Sequence, residues 1–229
     1  MHLMLTIGTV DGTLYDAMYG TLVTTTDTMR IKSAYLDDTL IDMRLLETIV
    51  QPTPDDPFES VVVRWSVHGV PIYTPAFKEY NRVNASNCAI WRQTAPDRVE
   101  MFLKSYFEIE DSIMVGAAVK SLAEIMLSKG KIIDCARRKK LAWLVQTKGG
   151  MAKCDTTSER APEDGCSIWG SQHRSARSGI KSACALCSKH LCKKCLVKQV
   201  LYTVAPNSQL LKHEVRFCVP CIRSASILD

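Results

Sequence analysis

The chain has 229 residues, 46% hydrophobic and 23% charged, an ordinary globular balance with room for one cored domain and a small module. Its formal charge of +5 is unevenly laid: 17 basic and 18 acidic residues precede Lys153, and 12 basic face 6 acidic from there on, so the tail favours an acidic partner. No run approaches the length of a membrane-spanning helix, and the opening MHLMLTIGTVDGT lacks a basic leader and is interrupted by Asp11, which argues against a signal peptide. The expected setting is a reducing compartment, where clustered thiols hold metal more often than they form disulfides.

In chain order, Leu3 to Thr9 reads as a strand, and VDGTLYDAMYGTL as a helix with Leu14, Met18 and Leu22 on one face. TTTDTMRIKSAYLDD predicts a second helix capped by Thr25 or Thr26. The cluster QPTPDDP turns the chain into FESVVVRWSV, a β-branched strand, and CAIWRQTAPDRVEMFLKSYF reads as a hairpin around APD. From Asp111 the period changes to that of a long helix reaching Gln146, with Leu122, Ile125, Met126 and Ile133 among its apolar face and Gly130 as a kink. That face is expected to lie on strands bearing Val61, Val63, Trp65, Met101 and Leu103. The first region is therefore α+β, an antiparallel sheet gripped by a C-terminal helix. Residues 148–182 are polar and aperiodic and read as linker.

The chemistry lies in the tail, where the spacing is Cys184-x2-Cys187-x4-Cys192-x2-Cys195-x22-Cys218-x2-Cys221. Each Cys-x2-Cys pair is a knuckle that can aim two sulfurs at one ion, and a structural zinc takes four such ligands, so three knuckles exceed one site and fall short of two. All six thiols are candidate zinc ligands, and metal ligation is expected to supply most of this segment's folding energy.

This pattern resembles the later six cysteines of the FYVE-type zinc finger. The resemblance implies a cross-braced finger over 183–225, in which Cys184 and Cys187 share an ion with Cys218 and Cys221. Cys192 and Cys195 would then look to an earlier knuckle, for which only Cys154, Cys166 and His173 supply ligand types. At the family's phosphoinositide-reading positions the chain has SGIKSA, with Lys181 alone, so the charge-assisted donors for a specific phosphoinositide are missing. Lys189, His190, Lys193, Lys194 and Lys198 leave a generic attraction to an anionic membrane. GTVDGTLYDAMYG, PTPDDPFESVVVRW and the helix ending KLAWL resemble, in that order, the START-like lipid-binding domain. That implies a helix-grip fold over 1–147, shorter than the family pattern at its start and between Tyr73 and Ala89.

Other features carry less. ARRKK, Ala136 to Lys140, is expected to face water at a helix end, and Cys88 and Cys135 are expected to be small core residues. No Ser, His and Asp set or carboxylate pair can be assembled, so no enzyme is expected. The expected function is that of a zinc-binding, lipid- or membrane-associated adaptor, cytoplasmic and peripheral on endosomal or other internal membranes. The alternatives are a RING-type ubiquitin ligase, against which the four-residue step between Cys187 and Cys192 argues, and a basic nucleic-acid-binding zinc ribbon, which lacks an aromatic platform.

Overall fold

The computed structural model describes residues 2–68, 83–109, 115–147, 182–192 and 194–226, and the expected linker and the stretch between Tyr73 and Val83 lie outside them. Two compact units divide between Ala136 and Arg137. Among the described residues the chain is mixed α+β, with antiparallel sheets throughout.

In the first unit, β1 (His2–Asp11) leads through Gly12 to α1 (Leu14–Thr21) and α2 (Thr26–Leu36). Thr25 caps α2 reciprocally: its hydroxyl accepts from the Thr28 amide, and the Thr28 hydroxyl accepts from the Thr25 amide. The helix ends at Asp37, in the left-handed region at φ 56°. Gly20 of α1 is required by close approach, since a Cβ there would stand 2.3 Å from the Ile132 carbonyl oxygen.

β4 (Val83–Ala95) and β5 (Arg98–Ile109) form the hairpin expected around APD, and β5 pairs on its other side with β1, giving the order β1-β5-β4. The inward face carries Met4 of β1, Trp91 of β4, and Met101, Leu103 and Phe107 of β5. Leu122 and Met126 of α3 (Val115–Ser128) pack there. The outward face is unusually apolar: Ile7 pairs with Phe102 and Phe102 with Ile90, and all three are more than 40% exposed. Cys88 is on this face as well, opposite Lys104, so it is an exposed residue and not the core residue expected; Cys135 is fully buried, as expected.

β2 (Leu40–Val50), a strand without a clear sequence period, pairs with β3 (Val61–His68) in a separate two-stranded sheet. Its Met43 packs with Val23 and Met29. This separation corrects one expectation: Val61, Val63 and Trp65 stay 42–48% exposed, because β3 is not part of the sheet that α3 covers.

The single long helix expected over 111–146 is two helices. A 3-10 turn at Lys129–Lys131 joins α3 to α4 (Ile132–Thr147), with Gly130 at its centre. Glycine weakens the helix there, and the flanking lysines bond away from it. Lys131 Nζ donates to the Leu36 carbonyl at 3.2 Å, and Lys129 Nζ lies 3.4 Å from Asp38 Oδ2. Asp38 is 1% exposed and also accepts from the Ser33 hydroxyl at 2.5 Å, so its charge is doubly met. ARRKK falls in the middle of α4 and not at a helix end, and Lys140 is buried.

In the second unit, Leu141, Ala142 and Val145 of α4 share one core cluster with Leu191, Leu201, Phe217 and all six tail cysteines, of which Cys184, Cys195 and Cys218 are buried and Cys187, Cys192 and Cys221 half-buried. The remaining elements are β6 (Ser182–Ala183), β7 (His190–Leu191), β8 (Leu196–Val204), β9 (Leu210–Cys218) and α5 (Val219–Ser226). β8 and β9 pair as an antiparallel hairpin that the cysteine spacing does not announce. Its inward residues Leu201 and Phe217 are both fully buried. No helix of the described residues is long and apolar enough to cross a membrane.

Candidate metal centre

Two local devices build the site. The first is the turn between β6 and β7. Ala183 pairs with His190, the Cys184 amide donates to the Lys189 carbonyl at 3.1 Å, and the Ser188 amide donates back to the Cys184 carbonyl at 2.9 Å. Ser188 takes a positive φ of 57° to close this loop, which directs Cys184 and Cys187 to one side. The second device is the junction of β9 with α5. Cys218 ends the strand and Cys221 sits in the first turn of the helix, where backbone amides lack intrahelical partners. The Cys221 amide uses that freedom to donate to Cys218 Sγ at 3.4 Å.

The hairpin brings the two devices together. The Ala185 amide donates to the Arg216 carbonyl at 2.9 Å, which ties the turn to β9, and the Cys218 amide donates to Cys184 Sγ at 3.3 Å. As a result the sulfurs of Cys184, Cys187, Cys218 and Cys221 all lie within 4.8 Å of one another. Cys187 Sγ and Cys218 Sγ are 3.8 Å apart. Four thiolates at about 2.3 Å from a central ion, tetrahedrally disposed, have edges of about 3.8 Å, so the set fits a metal ion.

The electrostatics agree with that fit. Burial pushes the Cys184 thiol up, but backbone amides of Cys218, Cys187 and Leu186 donating to its sulfur outweigh burial and bring it to about 7. Burial pushes Cys187 up. Cys221 is driven up further, by burial and by the sulfurs of Cys218, Cys187 and Cys184. One thiolate therefore forms readily and its negative charge holds protons on its neighbours, a conflict that a divalent cation relieves by neutralising the sulfurs together.

The six cysteines expected as ligands thus separate into four and two. Cys184, Cys187, Cys218 and Cys221 are grouped, and they are the four that the FYVE resemblance pairs. Cys192 and Cys195 lie apart as a pair with sulfurs 3.5 Å from each other, Cys195 buried and Cys192 half-buried, and no third ligand joins them among the described residues. Cys154, Cys166 and His173 lie outside those residues. No family model, curated protein or solved structure matches the chain.

Proposed function

We propose that the chain is a non-enzymatic zinc-binding protein in which a START-like lipid-binding region precedes a FYVE-like finger, acting as an adaptor at the cytoplasmic surface of endosomal or other internal membranes. The observation that carries the metal half is the convergence of four thiols from two separate knuckles within 4.8 Å. Zinc is the ion because an all-thiolate tetrahedral set of this size, closed to substrate, suits a structural zinc. Its work is to hold the β6–β7 turn to the β9–α5 junction, reinforcing the small apolar cluster that Leu186 and Leu191 share with Phe217 and Ala225. The membrane half is supported by the basic excess of the tail and by the order of motifs in the first region.

The test is metal content per folded chain, measured together with co-purifying lipids. Zinc should accompany the full chain, and Cys218→Ser should remove one equivalent and unfold the hairpin. Unchanged zinc and an unchanged fold in that variant would overturn the assignment. Lipid uptake by the first region should be poor, because Leu122 and Met126 of α3 already fill the inward sheet face. One lipid held stoichiometrically by the monomer in a native mass spectrum would contradict that expectation.

A further inference from the structure

The β8–β9 hairpin has a second face, which the metal centre meets only at Cys218, where β9 ends opposite Leu196. Strand alternation sends Leu201 and Phe217 into the core, which puts Lys198, Val200 and Tyr202 of β8 on the opposite side. Register sets Arg216, Glu214 and Lys212 of β9 directly across from them. Lys198 therefore faces Arg216 across the ladder, an arrangement of like charges that costs stability in a sheet. Glu214, 3.3 Å from Lys198 Nζ, offsets part of that cost, and both side chains remain more than 60% exposed. Glu214 is also the single acid between Gly165 and Leu228, a stretch with ten basic residues. A hairpin keeping like charges opposed on its solvent side, within so one-signed a segment, is matched to a negatively charged surface.

The apolar members decide which surface. Val200 and Tyr202 stand between the cations, half-buried, and neither belongs to the core cluster of this unit. A tyrosine with an apolar body and a polar tip suits the boundary between headgroups and acyl chains. Reading single-stranded nucleic acid would call for several stacking platforms, and this face has one ring. We propose that the outward face of β8–β9 is the surface by which the second unit lies on an anionic bilayer, with Lys198, Lys212 and Arg216 drawn to the headgroups and Val200 and Tyr202 at the interface. This deepens the membrane half of the proposed function and rests on it.

The test measures binding of the zinc-loaded full chain to vesicles of phosphatidylcholine with phosphatidylserine, and to vesicles of phosphatidylcholine alone. A cation near an anionic leaflet contributes about fivefold in affinity, so Lys198→Gln with Lys212→Gln should weaken binding about twentyfold. Lys189→Gln with Lys194→Gln removes the same charge from exposed positions beside the knuckles and should cost less than fivefold. Unaltered zinc content in both variants shows that the fold survives. Equal weakening by the two pairs would overturn the assignment of this face while leaving membrane association intact. Failure of the unsubstituted chain to bind anionic vesicles would overturn the membrane reading itself. Retention on single-stranded DNA in place of vesicles would give the face to a nucleic acid and likewise overturn the proposal.

Discussion

The two units bury their apolar side chains by different means. The first has many such side chains and covers only part of them: Met101, Leu103 and Phe107 are buried under α3, while Leu5, Ile7 and Ile90, on the other face of the same three strands, are 54–61% exposed. The second has few, and closes them around sulfur: Leu201 and Phe217 are wholly buried in a cluster that also takes in Cys184, Cys195 and Cys218. A sheet with enough apolar area can hold together with one face uncovered, whereas a unit of one hairpin, two two-residue strands, the eight-residue α5 and the end of α4 needs a cross-link to reach a stable core. The first unit should therefore respond to changes in packing and the second to changes in metal.

The largest expected effect tests that contrast directly. Removing the metal with a chelator should abolish amide-exchange protection in β8 and β9 while leaving β1 and β5 protected, since structural zinc contributes on the order of 10 kcal/mol to such modules. Simultaneous loss in both units would erase the distinction. Acid should act in the same direction. Cys187 and Cys221 hold their protons more firmly than ordinary thiols, so metal binding must displace them, and Cys184 is itself protonated as pH falls through about 7. The sign is that protons compete with the ion, so affinity in a chelator competition should fall by about tenfold or more per pH unit lost.

A packing change comes next. Met126 is 4% exposed between α3 and β5, and Met126→Asp puts an unpaired carboxylate there at a cost of about 4 kcal/mol. The first unit should unfold in urea at a much lower midpoint, and zinc content should stay constant. Asp38→Ala should cost about 3 kcal/mol, because it strands the Lys129 ammonium, whose pKa burial already lowers and Asp38 supports. A smaller shift of the denaturation midpoint would mean that Lys129 escapes to water. The smallest effect is at the cap of α2: Thr25→Ala removes the acceptor for the Thr28 amide and should cost about 1 kcal/mol, visible as faster exchange in the first turn alone.

Particular elements show why some of this was legible and some was not. Thr25 as a cap, APD as a hairpin turn, Gly130 as a break and the three knuckles are short-range signals, each complete within a few residues. β2 is not legible because LIDMRLLETIV sets Leu45 beside Leu46 and places charges at 42, 44 and 47, so it satisfies neither a two-residue nor a helical period. The β8–β9 hairpin carries no periodic signal, because LVKQVLYTV does not alternate, and only its content of Val, Tyr and Thr points to a strand. The exposure of Cys88 follows from pairing register, and the placement of ARRKK follows from where the long helix breaks.

By itself the sequence determined the α+β class, most of the local elements and a thiol-rich centre in the tail, because turn chemistry, periodicity and ligand spacing act between near neighbours. It could not determine, without a family resemblance, which knuckles meet. Cys184 and Cys218 are separated by 34 positions, and only the length and twist of the β8–β9 ladder return one to the other. Nor could it fix which side of each strand is covered. β1 has large apolar residues at 3, 5 and 7, yet the inward side carries Met4, Thr6 and Gly8, because pairing with β5 aligns those residues with Ser105, Leu103 and Met101 beneath α3. Strand register and long-range return are properties of the assembled backbone, and the tertiary structure alone decided them.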